Sequence, residues 1–437
     1  MNSTKVAGRP ADVVGRLKFL TDSSLVRQNL TLFVGGLVAG VGGFAYHALA
    51  AHELGPKGYG EVASLIALYS IGTSVNLVLI LVLARYAATL QAQGKMGAIR
   101  QLMVRSSVIV ALPAAAVVLL AVVMAPQVQS FEKLGSPTPV VWLGIALAVI
   151  WFVSVPRGLL QGTQRFASLS LNLGGELVVR TGFLVLLLSV GLGVSGAMIA
   201  VLIGAGAAYV AGMFGQRHLP PRQPGSVHLR TMLGFTFTAV IGTVGILILY
   251  NLDVILAKHF LSPQQAGIYG GLNKIATITY FLTLSVSQVL FPRVVEAVAR
   301  RGHPGRLLLL SAAITGTLGL GAILVFAVVP GLIVKVLFGP AFDSAIPLVL
   351  PVGFIGLGLS LDNLLIQFFM AVHDRVFVPI LVLACAALAV LIALFHAGVA
   401  SIVVDLAAVI YVLLVTLALR AVRLMPQLRP EMVADTP

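Results

Sequence analysis

The stretch AHELGPKGYGEVASL (residues 51–65) returns, altered, as KHFLSPQQAGIYGGL (residues 258–272). At a single offset of 207 residues His52 falls on His259, Leu54 on Leu261, Pro56 on Pro263, Gly60 on Gly267 and Leu65 on Leu272, five identities in fourteen positions. The offset is close to half of the 437 residues, so the chain reads as two related halves. Each copy follows a long apolar run. Its proline ends one helix, lacking an N–H and clashing with the preceding turn, and its glycines let the next helix begin close by.

Outward from these copies, apolar runs fill both halves. The chain is 59% hydrophobic and 10% charged, and a water-soluble fold has no interior large enough to hide so much apolar surface. The fold class expected is an all-α polytopic membrane protein. Crossing the hydrocarbon takes about 20 apolar residues. Twelve runs qualify, near residues 30–51, 62–84, 104–125, 140–155, 169–190 and 194–214, then 232–257, 268–291, 307–329, 346–370, 376–395 and 399–419. Pro156 cuts the fourth short. The division predicted is an N-terminal tail (1–29), a six-helix bundle (30–214), a Pro-rich polar linker (215–231), a second six-helix bundle (232–420) and a C-terminal tail (421–437). Lys5, Arg9, Arg16, Lys18 and Arg27 form a lead longer than that of a cleaved signal peptide, and the run after it is also longer, so a retained first helix is expected.

The net charge of +14 would suit a nucleic-acid partner only if gathered on one folded surface. Here the basic residues fall in short connections, so no nucleic-acid partner is expected. The two tails and every second connection hold 22 Lys and Arg, whereas the opposite connections hold only Lys57, Lys133, Lys258 and Lys335. That bias predicts cytoplasmic termini. With an even number of helices in each half, the copies enter the membrane in the same direction, related by an axis along its normal.

No P-loop is present, and no connection is long enough to hold the catalytic loops of a membrane enzyme. The single cysteine, Cys385, excludes a disulfide framework, and His52-Glu53 lacks the second histidine of a zinc motif. No enzyme activity, catalytic residue, metal site or cofactor is expected.

Charges inside a span cost about 2.5 to 3.5 kcal/mol in lipid and therefore face a partner or a wet cavity. Arg180, Glu176 and Asp362 lie too deep to escape the core. Asp253, Lys274 and Asp405 fall nearer the outer boundary, where the headgroup zone can take them. Glu176 and Arg180 are spaced i,i+4 with the acid first, which predicts an ion pair on one helix. Displacing Glu176 would then free a bidentate guanidinium for an anionic head group. Arg85 with Tyr86, and Arg157 with Arg165, sit at cytoplasmic helix ends, as collectors of an anionic substrate or as ordinary positive-inside anchors. Glycines crowd GGLVAGVGG (35–43) and recur at Gly234, Gly242 and Gly245, where close helix contact or bending is expected.

Four motifs carry a resemblance: LGPKGYG (54–60), LSPQQAGIYGGLNK (261–274), FPRVVE (291–296) and VLFGPAFDSAIPLV (336–349). Over residues 26–421 the chain resembles the polysaccharide transporter family, the Wzx-type lipid-linked oligosaccharide (O-antigen) flippases of the multidrug/oligosaccharidyl-lipid/polysaccharide (MOP) superfamily. The resemblance implies a V-shaped pair of six-helix bundles around a central cavity. It implies alternating access that moves a polyprenyl-diphosphate-linked oligosaccharide from the cytoplasmic to the outer leaflet of the bacterial plasma (inner) membrane. Cell-surface polysaccharide assembly, membrane lipids, a polysaccharide polymerase and export proteins would be its setting. A cationic cavity is implied too, for which Arg180, Lys274, Arg85 and Arg157 are the substrate-binding candidates, with Glu176, Asp253 and Asp362 for charge pairing or ion coupling. The competing reading is a multidrug or organic-cation antiporter of the same superfamily, for which Asp253, Asp362 and Asp405 would supply an acidic cavity.

Overall fold

The computed structural model describes residues 23–221, 233–299 and 302–428, so residues 1–22 of the expected tail, most of the linker and residues 429–437 lie outside it. The first copy of the repeat sits inside α1 (Ser23–Gly72), where Gly55 takes φ 61° and ψ −178°. That conformation is essentially restricted to glycine, and Pro56 after it cannot continue the preceding hydrogen-bond ladder. The helix therefore folds back on itself. Tyr59 Oη lies 3.2 Å from Nδ1 of His47, twelve residues earlier, a separation of about 18 Å along a straight helix.

The first half continues with α2 (Ser74–Ala92), α3 (Met96–Glu132), α4 (Thr138–Gly162), α5 (Phe166–Ser189) and α6 (Gly193–Phe214). The second begins with α7 (Leu233–Phe260) and α8 (Pro263–Ala299), between which the second copy lies. There Ser262 closes a capping box with Gln265, its backbone N–H reaching Gln265 Oε1 and its Oγ accepting from the Gln265 N–H, both at 3.4 Å. After α9 (Pro304–Val328) come a short helix α10 (Pro330–Phe338) and a 3₁₀ turn (Pro340–Leu348). The half closes with α11 (Val349–Ala371), α12 (Phe377–Leu394) and α13 (Val399–Leu424).

Ten stretches among the described residues are long and apolar enough to cross a membrane. One of them, Val38–Ala92, takes in most of the folded α1 together with α2 and carries two passes, and α7, at 28 residues, adds the twelfth. The protein is an all-α polytopic membrane protein with six passes in each half.

Two boundaries differ from the pattern in the sequence. Pro156 does not end the fourth pass, because α4 runs through it to Gly162. A Cβ on Gly212 would lie 2.8 Å from the Pro156 ring, so α6 closes over the proline at this point and only a glycine leaves room for it. The connection expected at 85–105 is almost entirely helical, with α2 and α3 separated only at residues 93–95. At about 1.5 Å per residue α3 is about 55 Å long, well beyond a hydrocarbon core of about 30 Å.

The two halves meet through the repeat itself. A Cβ on Gly60 would lie 2.9 Å from the Gly267 nitrogen and 3.3 Å from the Pro263 carbonyl, while one on Gly267 would collide with the Pro56 carbonyl. One turn on, a Cβ on Gly270 would lie 2.8 Å from Cβ of Ala63. At the 207-residue offset Gly60 is the counterpart of Gly267, and Ala63 of Gly270. Equivalent residues facing each other lie on the axis relating the halves, and only the smallest side chains fit there. Hydrogen bonds from Lys133 Nζ to the Leu261 carbonyl (3.5 Å) and from Lys258 Nζ to the Lys133 carbonyl (3.4 Å) join the halves at the same end.

Candidate functional site

In the first half α4 and α5 bring together an ion pair different from the one the spacing predicts. Arg157 donates through Nη2 to Glu176 Oε2 at 2.5 Å and through Nε to Asn172 Oδ1 at 2.7 Å. Asn172 in turn donates to the Ala208 carbonyl of α6 at 2.6 Å. Only 5% of the Arg157 side chain and 8% of that of Glu176 reach the surface. Two expectations are corrected here. Glu176 does not neutralise Arg180, and Arg157 is a buried structural partner rather than a residue open at the membrane face. Both follow from one cause: a facing helix supplies a guanidinium that meets Glu176 and Asn172, one turn apart on α5, in a single fork.

Arg180 is left to a different neighbour. Its guanidinium carbon lies 4.0 Å above the centre of the Tyr46 ring, and its Nε is buried with no hydrogen-bond partner. Tyr46 is fixed by its own hydroxyl, which donates to the Ala197 carbonyl at 2.9 Å. A desolvated cation over a ring face gains about 2 kcal/mol, so the stack holds Arg180 while its Nε stays free to donate. Next to Tyr46 stands His47, edge-on to both Tyr46 and Tyr59 at 5.7 and 6.0 Å between ring centres.

The second half contributes Lys274, one residue beyond Asn273 on α8. Asp253 of α7 accepts from Tyr269 Oη at 2.6 Å and from Asn273 Nδ2 at 3.0 Å, both on Oδ2. It is 1% exposed, so it sits within the protein and not in a headgroup layer. Lys274 is close enough to Asp253 and Arg180 to interact electrostatically with both, and His47 with Lys274 and Arg180. The structure thus brings Arg180 and His47 of one half within electrostatic reach of Lys274 of the other.

The other candidates lie apart. Arg85 is exposed on α2, about 40 Å along the second pass from Tyr59. Asp362 of α11 is buried with neither carboxylate oxygen hydrogen-bonded, and Asp405 of α13 has Oδ2 unpartnered. A carboxyl buried without a hydrogen-bond partner is costly in an apolar interior. His47 went unnoticed in the sequence because one histidine in an apolar run reads as core. The available signal was its place between Tyr46 and the repeat.

The family model for polysaccharide biosynthesis proteins matches residues 25–298. A comparison with curated proteins finds no match. Among solved structures the chain is similar to the inward-facing conformation of a multidrug resistance MATE family transporter of the MOP superfamily, with TM-score 0.72 and 12% identity over 88% of this chain and 95% of that one. A eukaryotic MATE transporter matches with TM-score 0.66 and 15% identity, covering 93% of this chain and 99% of the other. A MOP superfamily transporter from Pyrococcus furiosus, whose binding pocket is described as having reverse polarity that suggests a different function, matches with TM-score 0.58 and 15% identity over 91% and 95% of the two chains. At these identities the likeness is one of fold, and at 88% or more of the chain it reaches beyond the family match.

Proposed function

Because the chain belongs to the polysaccharide biosynthesis protein family, within a superfamily of membrane transporters, we propose that it is a flippase for a polyprenyl-diphosphate-linked oligosaccharide, moved from the cytoplasmic to the outer leaflet by alternating access. The observation that carries this reading is Arg180, seated on Tyr46 with an unpaired Nε, its nearest acid engaged by Arg157, and with Lys274 of the opposite half nearby. Such a pair suits a diphosphate. The guanidinium offers a planar fork and the ammonium a point charge, one from each side of the path. With the basic connections cytoplasmic, the glycine seam lies at the outer end and the cations are reached from the cytoplasm. The setting is the bacterial plasma membrane with both termini inside, and a polymerase and export proteins take up the product.

No ATPase is needed for this direction. A head group of about two negative charges leaving an inside-negative compartment gains about 4.6 kcal/mol per 100 mV. The test is a proteoliposome holding a labelled polyprenyl-diphosphate oligosaccharide, with exposure to an impermeant glycosidase followed under an imposed potential. Protein-dependent exposure that quickens with the sign favouring anion export supports the flippase.

A second reading has its own observation. Asp362, buried with both oxygens unpaired, is the kind of acid a cation-coupled drug antiporter uses. No exposure of the lipid-linked sugar, together with proton-driven efflux of a cationic dye that Asp362→Asn abolishes, would favour that antiporter.

A further inference from the structure

The repeat histidines, which the transport reading leaves without a task, occupy equivalent places. Phe131 and Phe338 are also separated by the 207-residue offset, and each lies in the last turn of a helix of its own half. The chain then turns left-handed, at Lys133 (φ 49°) in the first half and at Gly339 (φ 87°) in the second. His259 of the second half stacks on Phe131 of the first, with ring centres 4.0 Å apart and planes inclined by 12°. Its Nδ1 donates to the Phe131 carbonyl at 2.7 Å. His52 of the first half lies over Gly339 of the second: a Cβ there would be 3.3 Å from its Cδ2 and 3.5 Å from its Nε2. The same histidine of each repeat therefore seats on the same helix end of the opposite repeat, on either side of the glycine seam.

We propose that His52 and His259 form the latch of the outer gate, each gripping the opposite half so that the outer end stays shut until both contacts break together. Their grips differ in strength. His259 has both a stack and a hydrogen bond across the seam, whereas His52 uses Nδ1 on the Ala48 carbonyl of its own helix at 2.9 Å. On the His52 side the adhesion comes from Tyr59 packed against Phe338 and Phe342, each at 5.8 Å between ring centres. His259 is the stronger of the two.

The test uses the full chain carrying Cys385→Ala and a reporter, Ala67→Cys, one turn below Ala63 on the same face and 1% exposed. An impermeant maleimide is applied to intact cells and, separately, to inside-out vesicles. His52→Ala/His259→Ala should raise labelling from the outer face by about 3- to 10-fold, as expected for losing a hydrogen bond and a ring contact. His259→Ala alone should exceed His52→Ala alone. His396→Ala, whose ring stacks on Phe260 within the second half at 4.5 Å, should leave labelling at the parent level. Unchanged labelling in the double variant, or an equal rise with His396→Ala, overturns the latch. Should the double variant fold poorly, Phe131→Cys/His259→Cys bridged by a short bifunctional thiol reagent decides: the bridged protein must not label from outside, and labelling there also overturns it. Labelling needs no substrate, so the result stands apart from what the protein carries.

Discussion

Glu176 shows how a local rule loses to a tertiary one. Its spacing from Arg180 favours a pair on one helix, worth about 0.2 to 0.5 kcal/mol, whereas Arg157 arrives from α4 with a second acceptor, Asn172, already in place. Removing only the acid strands a buried cation. Glu176→Gln is therefore expected to destabilise the protein by about 3 to 5 kcal/mol, read as a lowered Tm in detergent, and a further Arg157→Met should restore much of the loss. Arg180→Lys tests the other side of the arrangement. It should leave expression near the parent value and lower Tm only slightly, since an ammonium can keep a cation–π contact with Tyr46, while cutting flipping by about tenfold or more, because lysine lacks the planar bidentate fork. Arg180 and Lys274 were legible as candidates because charges are rare inside spans. The partner of Glu176 was not, since which helix faces α5 is a tertiary fact, and His47 carried no charge pattern to mark it.

At the scale of elements, the two copies of the repeat make the same turn by different chemistry. The first relies on Gly55 in a backbone region closed to other residues, the second on Ser262 and Gln265 capping α8. Gly55→Ala should cost about 1 to 3 kcal/mol, whereas Ser262→Ala, which removes one cap, should cost about 1 kcal/mol. Comparing the two Tm shifts checks the asymmetry. Both turns could be read from sequence, because Gly-Pro and Ser-Pro-Gln-Gln each announce a helix boundary. The course of α4 through Pro156 could not, because the room for the proline ring comes from Gly212 on another helix.

For the whole molecule, the duplication disclosed the architecture, since two like halves with six passes each admit few arrangements. Where they touch was not disclosed, because an offset says that the halves are alike and nothing of the face they share. The seam at Gly60 and Gly267 has a testable weight. Gly267→Val would drive a branched side chain into the Pro56 carbonyl, so outer-face labelling at Ala67→Cys should rise about tenfold even with both histidines present, as expected for about 1.4 kcal/mol lost from closure. Because the halves meet there through bare backbone, that end is also a fulcrum. α8 leaves it as a lever about 55 Å long, and a swing of about ten degrees displaces its far tip by about 10 Å. In the flipping mechanism proposed above, a small rocking at a contact made of glycine would become, at the other face, a doorway wide enough for a hydrated head group.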